Sequence, residues 1–229
     1  MEIITVIFNN GNTQFLPICL ESVKESDNIV FCDFEENKEL IDYLESNGFT
    51  KFNVTFNGEK RIIYNPWETE SKQRNFYLNH LKNTYPKDTF ILCIDCDEVL
   101  DNFSKIREFC KINQSGAFSL RIRHLIGDLG KEEYGSSPFY SLHRLFKLGE
   151  VNYYTNKDNP TLLLGRNATS KGIKDTIWSL KYCSGINYLF KNMSKDYEEY
   201  KERISGNIST QRVNPKKLPQ SIKAYFQLE

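Results

Sequence analysis

Three acidic residues follow the most apolar stretch of the sequence. The run from Phe90 to Ile94 is continuously hydrophobic, and Asp95, Asp97 and Glu98 come directly after it. Carboxylates this close together repel one another unless a cation lies among them. Oxygen ligands favour Mg²⁺ or Mn²⁺, ions that commonly also bind substrate phosphates. The cluster favours metal-assisted phosphate chemistry over a solvated acidic turn, because a long buried strand precedes it.

The segments ahead of the cluster predict an α/β fold. Ile3 to Phe8 is a β-branched run typical of a strand buried on both faces, and residues 15–23 carry apolar side chains at helical spacing. A second strand, residues 29–32, ends at Asp33. This alternation of strand and helix predicts a parallel sheet with helices on both faces. Ligands bind at the carboxyl ends of such strands, which is where the acids lie.

A second candidate lies on a predicted helix that begins at Asn65-Pro66 and runs to about Leu81. Arg74 and Leu78 share one face of this helix. If Leu78 packs on the sheet, Arg74 is held near its rim, and a guanidinium group suits phosphate contact. The alternative is an ordinary surface arginine on a charged helix.

The composition excludes several classes of protein. Lys plus Arg and Asp plus Glu both number 30 among the 229 residues, so no overall charge attracts nucleic acid or an anionic membrane. No apolar run approaches 18 residues, and Met1 opens no signal-peptide pattern. The six cysteines form no disulfide framework. These features predict a cytoplasmic protein without a transmembrane segment.

The order of these features resembles family 2 glycosyltransferases. The matching segments are Phe15–Val23, Arg74-Asn75, Asp95–Glu98 and His143–Lys147, in the order of an "RN" helix, a "D-x-DE" turn and an "RLF" strand. The resemblance covers about residues 3–147. Similar small transferases occur in bacterial surface-polysaccharide clusters and in large DNA viruses, which implies a bacterial cytoplasm or that of a host cell.

The resemblance implies a GT-A fold, with a central, mainly parallel sheet flanked by helices. It implies a hexosyltransferase-like enzyme with a nucleotide-diphosphate sugar donor of the UDP or GDP type and Mn²⁺ or Mg²⁺ as cofactor. The acceptor is expected to be a hydroxyl of a glycan or glycoconjugate. One domain spans residues 1–229, with residues 1–100 binding the nucleotide and residues 101–229 forming the acceptor side and C-terminal helices.

Residue by residue, the resemblance assigns roles to several positions. Asp97 corresponds to the metal-binding acid, and Asp95 to the acid that contacts ribose or metal. Asp33 corresponds to the acid that contacts the base, and Thr5 and Phe8 border the base. The remaining predicted donor-binding residues are Arg74 and Cys96.

The general base is left open by the sequence. An inverting transferase needs a carboxylate to accept the proton of the acceptor hydroxyl. Asp128, in a polar loop predicted over residues 127–137, and Asp158 are candidates, as are Glu132 and Glu133. The His-Glu pair that the family often carries after the "RLF" strand is replaced by residues 153–158. Asn156 and Asp158 are therefore candidates for a third metal ligand.

Two other functions compete with the transferase. Residues 90–100 also resemble the first motif of haloacid-dehalogenase-type phosphatases, with Asp95 as the nucleophile, Asp97 as the acid/base and Mg²⁺ as the metal. Those enzymes usually place this strand near the start of the chain, whereas two or three βα units precede it here. A non-catalytic nucleotide-sugar-binding domain is the third possibility, since it keeps the fold without needing all three acids.

Overall fold

The structure is a computed structural model in which helices and strands are assigned over most of the first 155 residues. It describes residues 1–8, 13–32, 42, 46, 55–56, 59–60, 66–113, 116–126, 128–133, 143–155, 161–165, 170–182, 210–214 and 217–227. The strands are β1 (Ile3–Phe8), β2 (Asn28–Cys32), β3 (Thr55–Phe56), β4 (Glu59–Lys60), β5 (Phe90–Asp95), β6 (Glu98–Leu100), β7 (Ala117–Ile126), β8 (Asp128–Glu133), β9 (Leu145–Lys147), β10 (Val151–Thr155), β11 (Thr161–Leu164), β12 (Ser170–Tyr182) and β13 (Thr210–Arg212). The α-helices are α1 (Leu16–Ser22), α2 (Pro66–Thr84), α3 (Phe103–Ile112) and α4 (Gln220–Tyr225), and short 3-10 helices cover Thr13–Phe15 and Leu148–Glu150.

A single large sheet organises these elements. Its strand order is β2-β1-β5-β9-β7-β8-β13, and β12 pairs with both β7 and β6. β1 is parallel to β2 and to β5, and β12 is parallel to β7, whereas β9 runs antiparallel to β5 and β7. The first three strands of the sheet, β2, β1 and β5, therefore form a parallel group that leads to the acidic cluster. This α/β architecture agrees with the GT-A-like fold expected from the sequence.

Helices cover both faces of the parallel strands, as the sequence predicts. Because side chains alternate along a strand, Ile3 and Ile7 of β1 join one hydrophobic cluster with residues of α1 and α3. Ile4 and Val6 join a second cluster, which contains residues of α2 and of the β10–β11 ribbon. All six residues of β1 are buried, as required of a strand covered on both faces.

Two further sequence expectations can be compared with the structure. The helix predicted to begin near Asn65 is α2, which extends one turn beyond Leu81 to Thr84. The loop predicted over residues 127–137 is wrong in part, because residues 128–133 form strand β8 and pair with β7 and β13. Backbone pairing makes this strand, and its polar sequence concealed it. In the described part of the chain, no helix is long and apolar enough to span a membrane.

Candidate functional site

The acidic cluster forms the turn between β5 and β6, which we call the acid turn (residues 95–98). β5 is paired with β1 on one side and with β9 on the other, and its first five residues are buried. The Cys96 N–H donates to the Phe8 carbonyl at 2.8 Å, so the chain leaves the sheet where β1 also ends. The acid turn thus lies at the carboxyl end of the parallel strands, the edge at which α/β sheets bind ligands.

The three carboxylates of the acid turn differ in exposure. The side chain of Asp95 is 24% exposed, whereas Asp97 and Glu98 are 2% and 3% exposed. The Asp95 N–H donates to Glu98 Oε2 at 2.8 Å, which closes the turn on itself. The Leu180 N–H of β12 donates to the Asp97 carbonyl at 2.8 Å and fixes the turn from outside. Asp95 is therefore the most exposed acid of this turn.

Arg144 is a cation that contacts the acid turn. Its backbone is held between two strands, because its N–H donates to the Phe118 carbonyl and its carbonyl accepts from the Cys93 N–H. Its Nη2 atom donates to Glu98 Oε1 at 2.9 Å and lies 3.4 Å from Asp95 Oδ2. Arg144 itself is 4% exposed. The antiparallel strand β9, which follows it, brings this guanidinium group to carboxylates nearly 50 residues earlier in the chain.

Burial and the charge of Arg144 shift the pKa of Glu98 in opposite directions. Burial raises the pKa of Glu98 above its usual value, the charge of Arg144 opposes that rise, and the charges of Asp95 and Asp97 add to it. Burial by itself lowers the pKa of Arg144, but Glu98 and Asp95 outweigh it, so the pKa of Arg144 lies above its usual value. The arginine therefore stays charged, and its charge is what makes a buried Glu98 carboxylate tolerable.

The donor atoms of the acid turn suit a shared metal ion better than an enclosed one. Among the described residues, no group of three or more His, Cys, Asp or Glu side chains is arranged to hold a metal. Arg144 contacts both Glu98 and Asp95, and the side chain of Asp95 is the more exposed of the two. Asp97, two residues on, is the metal-binding acid predicted from the sequence. Mg²⁺ is typically held by one or two protein carboxylates together with water and substrate phosphates. The residues therefore fit an ion whose coordination a bound phosphate group would complete.

Arg74 lies on α2 between aromatic rings. It is 6% exposed, and its Cζ atom lies 4.5 Å from the centre of the Phe8 ring and 5.7 Å from that of the Tyr154 ring. Both distances are within the range of cation–π attraction. Phe8 is the register partner of Asp95, so Arg74 lies beside the acid turn. Whether it contacts a phosphate stays a prediction.

The next residue, Asn75, ties β10 to α2. Its Nδ2 donates to the Tyr154 carbonyl at 2.8 Å, and its Oδ1 accepts from the Tyr154 N–H at 2.6 Å. One side chain thus pairs with Tyr154 as a neighbouring strand would. The hydroxyls of Tyr77 and Tyr154 are also hydrogen-bonded, at 2.8 Å. The "RN" pair therefore anchors the β10–β11 ribbon to the helix.

The predicted site residues are only partly brought together. Cys96 is wholly buried within the acid turn, and its N–H is hydrogen-bonded to the carbonyl of Phe8. Thr5 pairs with Leu92, three residues before Asp95, which places it about 10 Å along the strand at 3.3 Å per residue. Its hydroxyl is hydrogen-bonded to that of Ser26. A contact between Thr5 and a base stays a prediction.

The other predicted residues lie mostly outside the described part of the chain. Asp33, Asn156 and Asp158 belong to segments that the structure does not describe. Asp128 is the first residue of β8, next to Ile126 in register, and its side chain is outside the description. Their roles in base binding, metal binding and proton transfer therefore stay predictions.

Arg144 is the residue of this site to which sequence reasoning gave no role. It belongs to the His143–Lys147 segment that carries the family resemblance, so the signal was present. Nothing in the local pattern indicates which strand β9 pairs with, and the partners of Arg144 depend on that pairing. The contacts of Tyr154 with Arg74 and Asn75 depend on tertiary pairing in the same way, since they join elements about 80 residues apart.

Comparisons with known proteins add little to this description. No family model matches the sequence, and no curated protein matches it. Among solved structures the chain is similar to S. aureus TarS at 11% identity, with a TM-score of 0.42 over 89% of this chain and 42% of that one. For residues 1–349 of S. aureus TarS the TM-score is 0.45 at 11% identity, over 90% of this chain and 73% of that one. The chain thus spans less than half of the longer structure, and a similarity of this size does not indicate a shared function.

Proposed function

We propose that this protein is a glycosyltransferase that moves a sugar, such as a hexose, from a nucleotide-diphosphate donor to a hydroxyl of a glycan or glycoconjugate. The observation that carries the proposal is the acid turn at the carboxyl end of β5, where the exposed Asp95 adjoins the buried Asp97. The order of the "RN", "D-x-DE" and "RLF" segments, which resembles family 2 glycosyltransferases, also supports it.

In this proposal Asp95 and Asp97 hold Mn²⁺ or Mg²⁺ together with the diphosphate of the donor. The bound ion supplies neutralisation of the negative charge that develops on the leaving nucleotide. Phe8, Thr5 and Asp33 border the base, and the donor is of the UDP or GDP type. Two observations support this role for Asp95: it is the more exposed of the two aspartates, and it ends the central strand β5.

The acceptor side of the reaction rests on the sequence. If the transfer inverts the sugar stereochemistry, a carboxylate must accept the proton of the attacking hydroxyl. Asp128 and Asp158 are the proposed bases. Each replaced separately by Asn should lower kcat and leave the Kd of the donor nucleotide unchanged if it has that role.

Titration calorimetry with UDP and with GDP, each with Mn²⁺ and with EDTA, tests donor binding. The Asp97→Asn variant removes one proposed ligand without changing the side-chain shape, and Asp88→Asn, at an exposed position, is the matched control. We expect Mn²⁺-dependent binding in the wild type and the control and its loss in Asp97→Asn, with all three proteins folded by circular dichroism. Equal affinity in Asp97→Asn and wild type would refute the metal assignment.

Incubation with phosphate-monoester substrates separates the transferase from the phosphatase. A phosphatase of the haloacid-dehalogenase type forms a phosphoaspartate at Asp95, which intact-mass spectrometry detects. We expect no such adduct, and we expect Mn²⁺-dependent hydrolysis of a nucleotide sugar when no acceptor is present. Nucleotide binding without any hydrolysis or transfer would favour the non-catalytic binding domain.

A further inference from the structure

We propose that Arg144 is a resident cation of the acid turn, positioned to hold Asp95 and Glu98 before any ligand binds. It occupies the place between these carboxylates that a divalent ion would otherwise take. Glu98 is then not a metal ligand, and the protein without nucleotide neither needs nor retains a metal ion at this turn. As a positioning role for the donor site, the inference rests on the proposed function.

The geometry supports a cation that is built in and not recruited. The backbone of Arg144 is hydrogen-bonded to Phe118 on one side and to Cys93 on the other, so the sheet fixes the point from which its side chain extends. Its Nη2 lies 2.9 Å from a Glu98 oxygen and 3.4 Å from an Asp95 oxygen. One nitrogen thus bridges the two carboxylates.

The charges at the turn explain why a cation is required. Asp95, Asp97 and Glu98 lie within four consecutive residues, and two of them are almost wholly buried. Closely spaced carboxylates repel one another, and burial adds to the free energy of keeping them ionised. Arg144 offsets both effects. The nearby charge of Arg74 lowers the pKa of Arg144, but the carboxylates outweigh it. The repulsion among these carboxylates, which suggested a metal ion from the sequence, is thus offset by an arginine of the chain itself.

A single nitrogen of Arg144, Nη2, makes the contacts with both Asp95 and Glu98. Within the described part of the chain, its Nε and Nη1 atoms have no hydrogen-bond partner. A planar bidentate contact is therefore not what holds the acids, and a single positive charge at this place suffices. Lysine, a point charge on a flexible stem, should keep much of the effect, whereas the uncharged glutamine should lose it.

The experiment measures thermal unfolding of the wild type, Arg144→Gln and Arg144→Lys in EDTA and in Mn²⁺, with no nucleotide present. We expect the wild-type Tm to be the same in both buffers. Arg144→Gln should melt about 10 °C lower in EDTA and should recover part of that loss in Mn²⁺, because the ion takes the position of the guanidinium. Arg144→Lys should lie close to the wild type and should not respond to Mn²⁺.

Two further variants keep the test decisive. Arg107→Gln breaks a partly exposed pair with Asp27 and is the control, for which we expect a small Tm change and no metal response. The double variant Arg144→Gln/Glu98→Gln removes both charges, so it should regain most of the lost Tm and lose the metal response. It also provides the test if Arg144→Gln alone does not fold.

Two results would overturn the proposal. One is a wild-type Tm that Mn²⁺ raises as much as it raises that of Arg144→Gln. The other is a double variant that melts no higher than Arg144→Gln, or that is itself unfolded when Arg144→Gln is unfolded. These melting experiments contain no nucleotide, so their outcome does not depend on the transferase proposal. If that proposal fails, the calorimetry with UDP and GDP shows no binding, whatever the Tm values are.

Discussion

Arg74 and Arg144 are buried to nearly the same extent, 6% and 4% exposed, yet they lie in different surroundings. Arg74 lies over the rings of Phe8 and Tyr154, whereas Arg144 is ion-paired with two carboxylates. An aromatic face attracts a cation without carrying a net charge of its own. A carboxylate left without its cation is a buried charge, which is far less stable. Two equally buried arginines thus have different described contacts, aromatic rings for Arg74 and carboxylates for Arg144.

Replacing each arginine by methionine tests most directly whether their contacts differ in strength. Arg144→Met should lower the free energy of unfolding by about 3–5 kcal/mol, since Glu98 then lies buried without its partner. Urea denaturation at pH 7 measures the change. A loss below about 1 kcal/mol would mean that the Arg144–Glu98 pair contributes no more than an exposed one.

Asn75→Ala tests the other region through its backbone contacts. The substitution leaves the N–H and the carbonyl of Tyr154 without this partner, and the expected loss of stability is about 2 kcal/mol. Hydrogen exchange at the Tyr154 amide should quicken more than exchange in β1, because β10 loses its tie to α2. Asn79→Ala, at an exposed position on the same helix, is the matched control and should change neither quantity.

Arg74→Met should be milder than Arg144→Met. The methionine keeps apolar contact with the rings and loses the cation–π attraction, which corresponds to about 1–2 kcal/mol for a desolvated pair. Calorimetry on the same variant decides the predicted phosphate contact. A weaker Kd for UDP or GDP at preserved stability supports that contact, whereas an unchanged Kd leaves Arg74 as a packing residue only.

The smallest effect is expected at the exposed pair of Asp27 and Arg107. Slight burial raises the pKa of Asp27, but the Ile3 N–H and Arg107 outweigh it, so the pKa lies below its usual value. Stability from such a carboxylate is present above its unfolded pKa of about 4 and is lost as the pH falls through the folded value. Asp27→Asn should therefore destabilise the protein at pH 7 by about 0.5 kcal/mol, and the difference should shrink as the pH falls below 4. A difference independent of pH would contradict the ion pair.

Part of the site was readable from local pattern, and part was not. The apolar run of β5 and the acids after it predicted a strand end at a ligand-binding edge, and the structure has both in that place. The chemistry inferred from the acids assumed a cation from outside the chain, whereas Arg144, a residue of the chain itself, contacts two of them. Arg74 was expected at the rim, and it lies near the acid turn but between aromatic rings.

Strand β8 illustrates the same limit within the fold. Its sequence, from Asp128 to Glu133, is polar and contains a glycine, so no period-two pattern distinguishes it from a loop. It becomes a strand because β7 and β13 offer it backbone partners. The pairing energy comes from residues distant in sequence, which a local pattern does not contain.

The sequence by itself determined the early elements and the chemical character of the site. Buried strands read as apolar runs because both of their faces exclude water, and the helix at Pro66 begins at a proline that suits its first turn. The tertiary structure alone decided which charges meet. Arg144 reaches Asp95 and Glu98 because β9 enters the sheet antiparallel between β5 and β7, and strand order depends on contacts among distant segments that no spacing along the chain encodes.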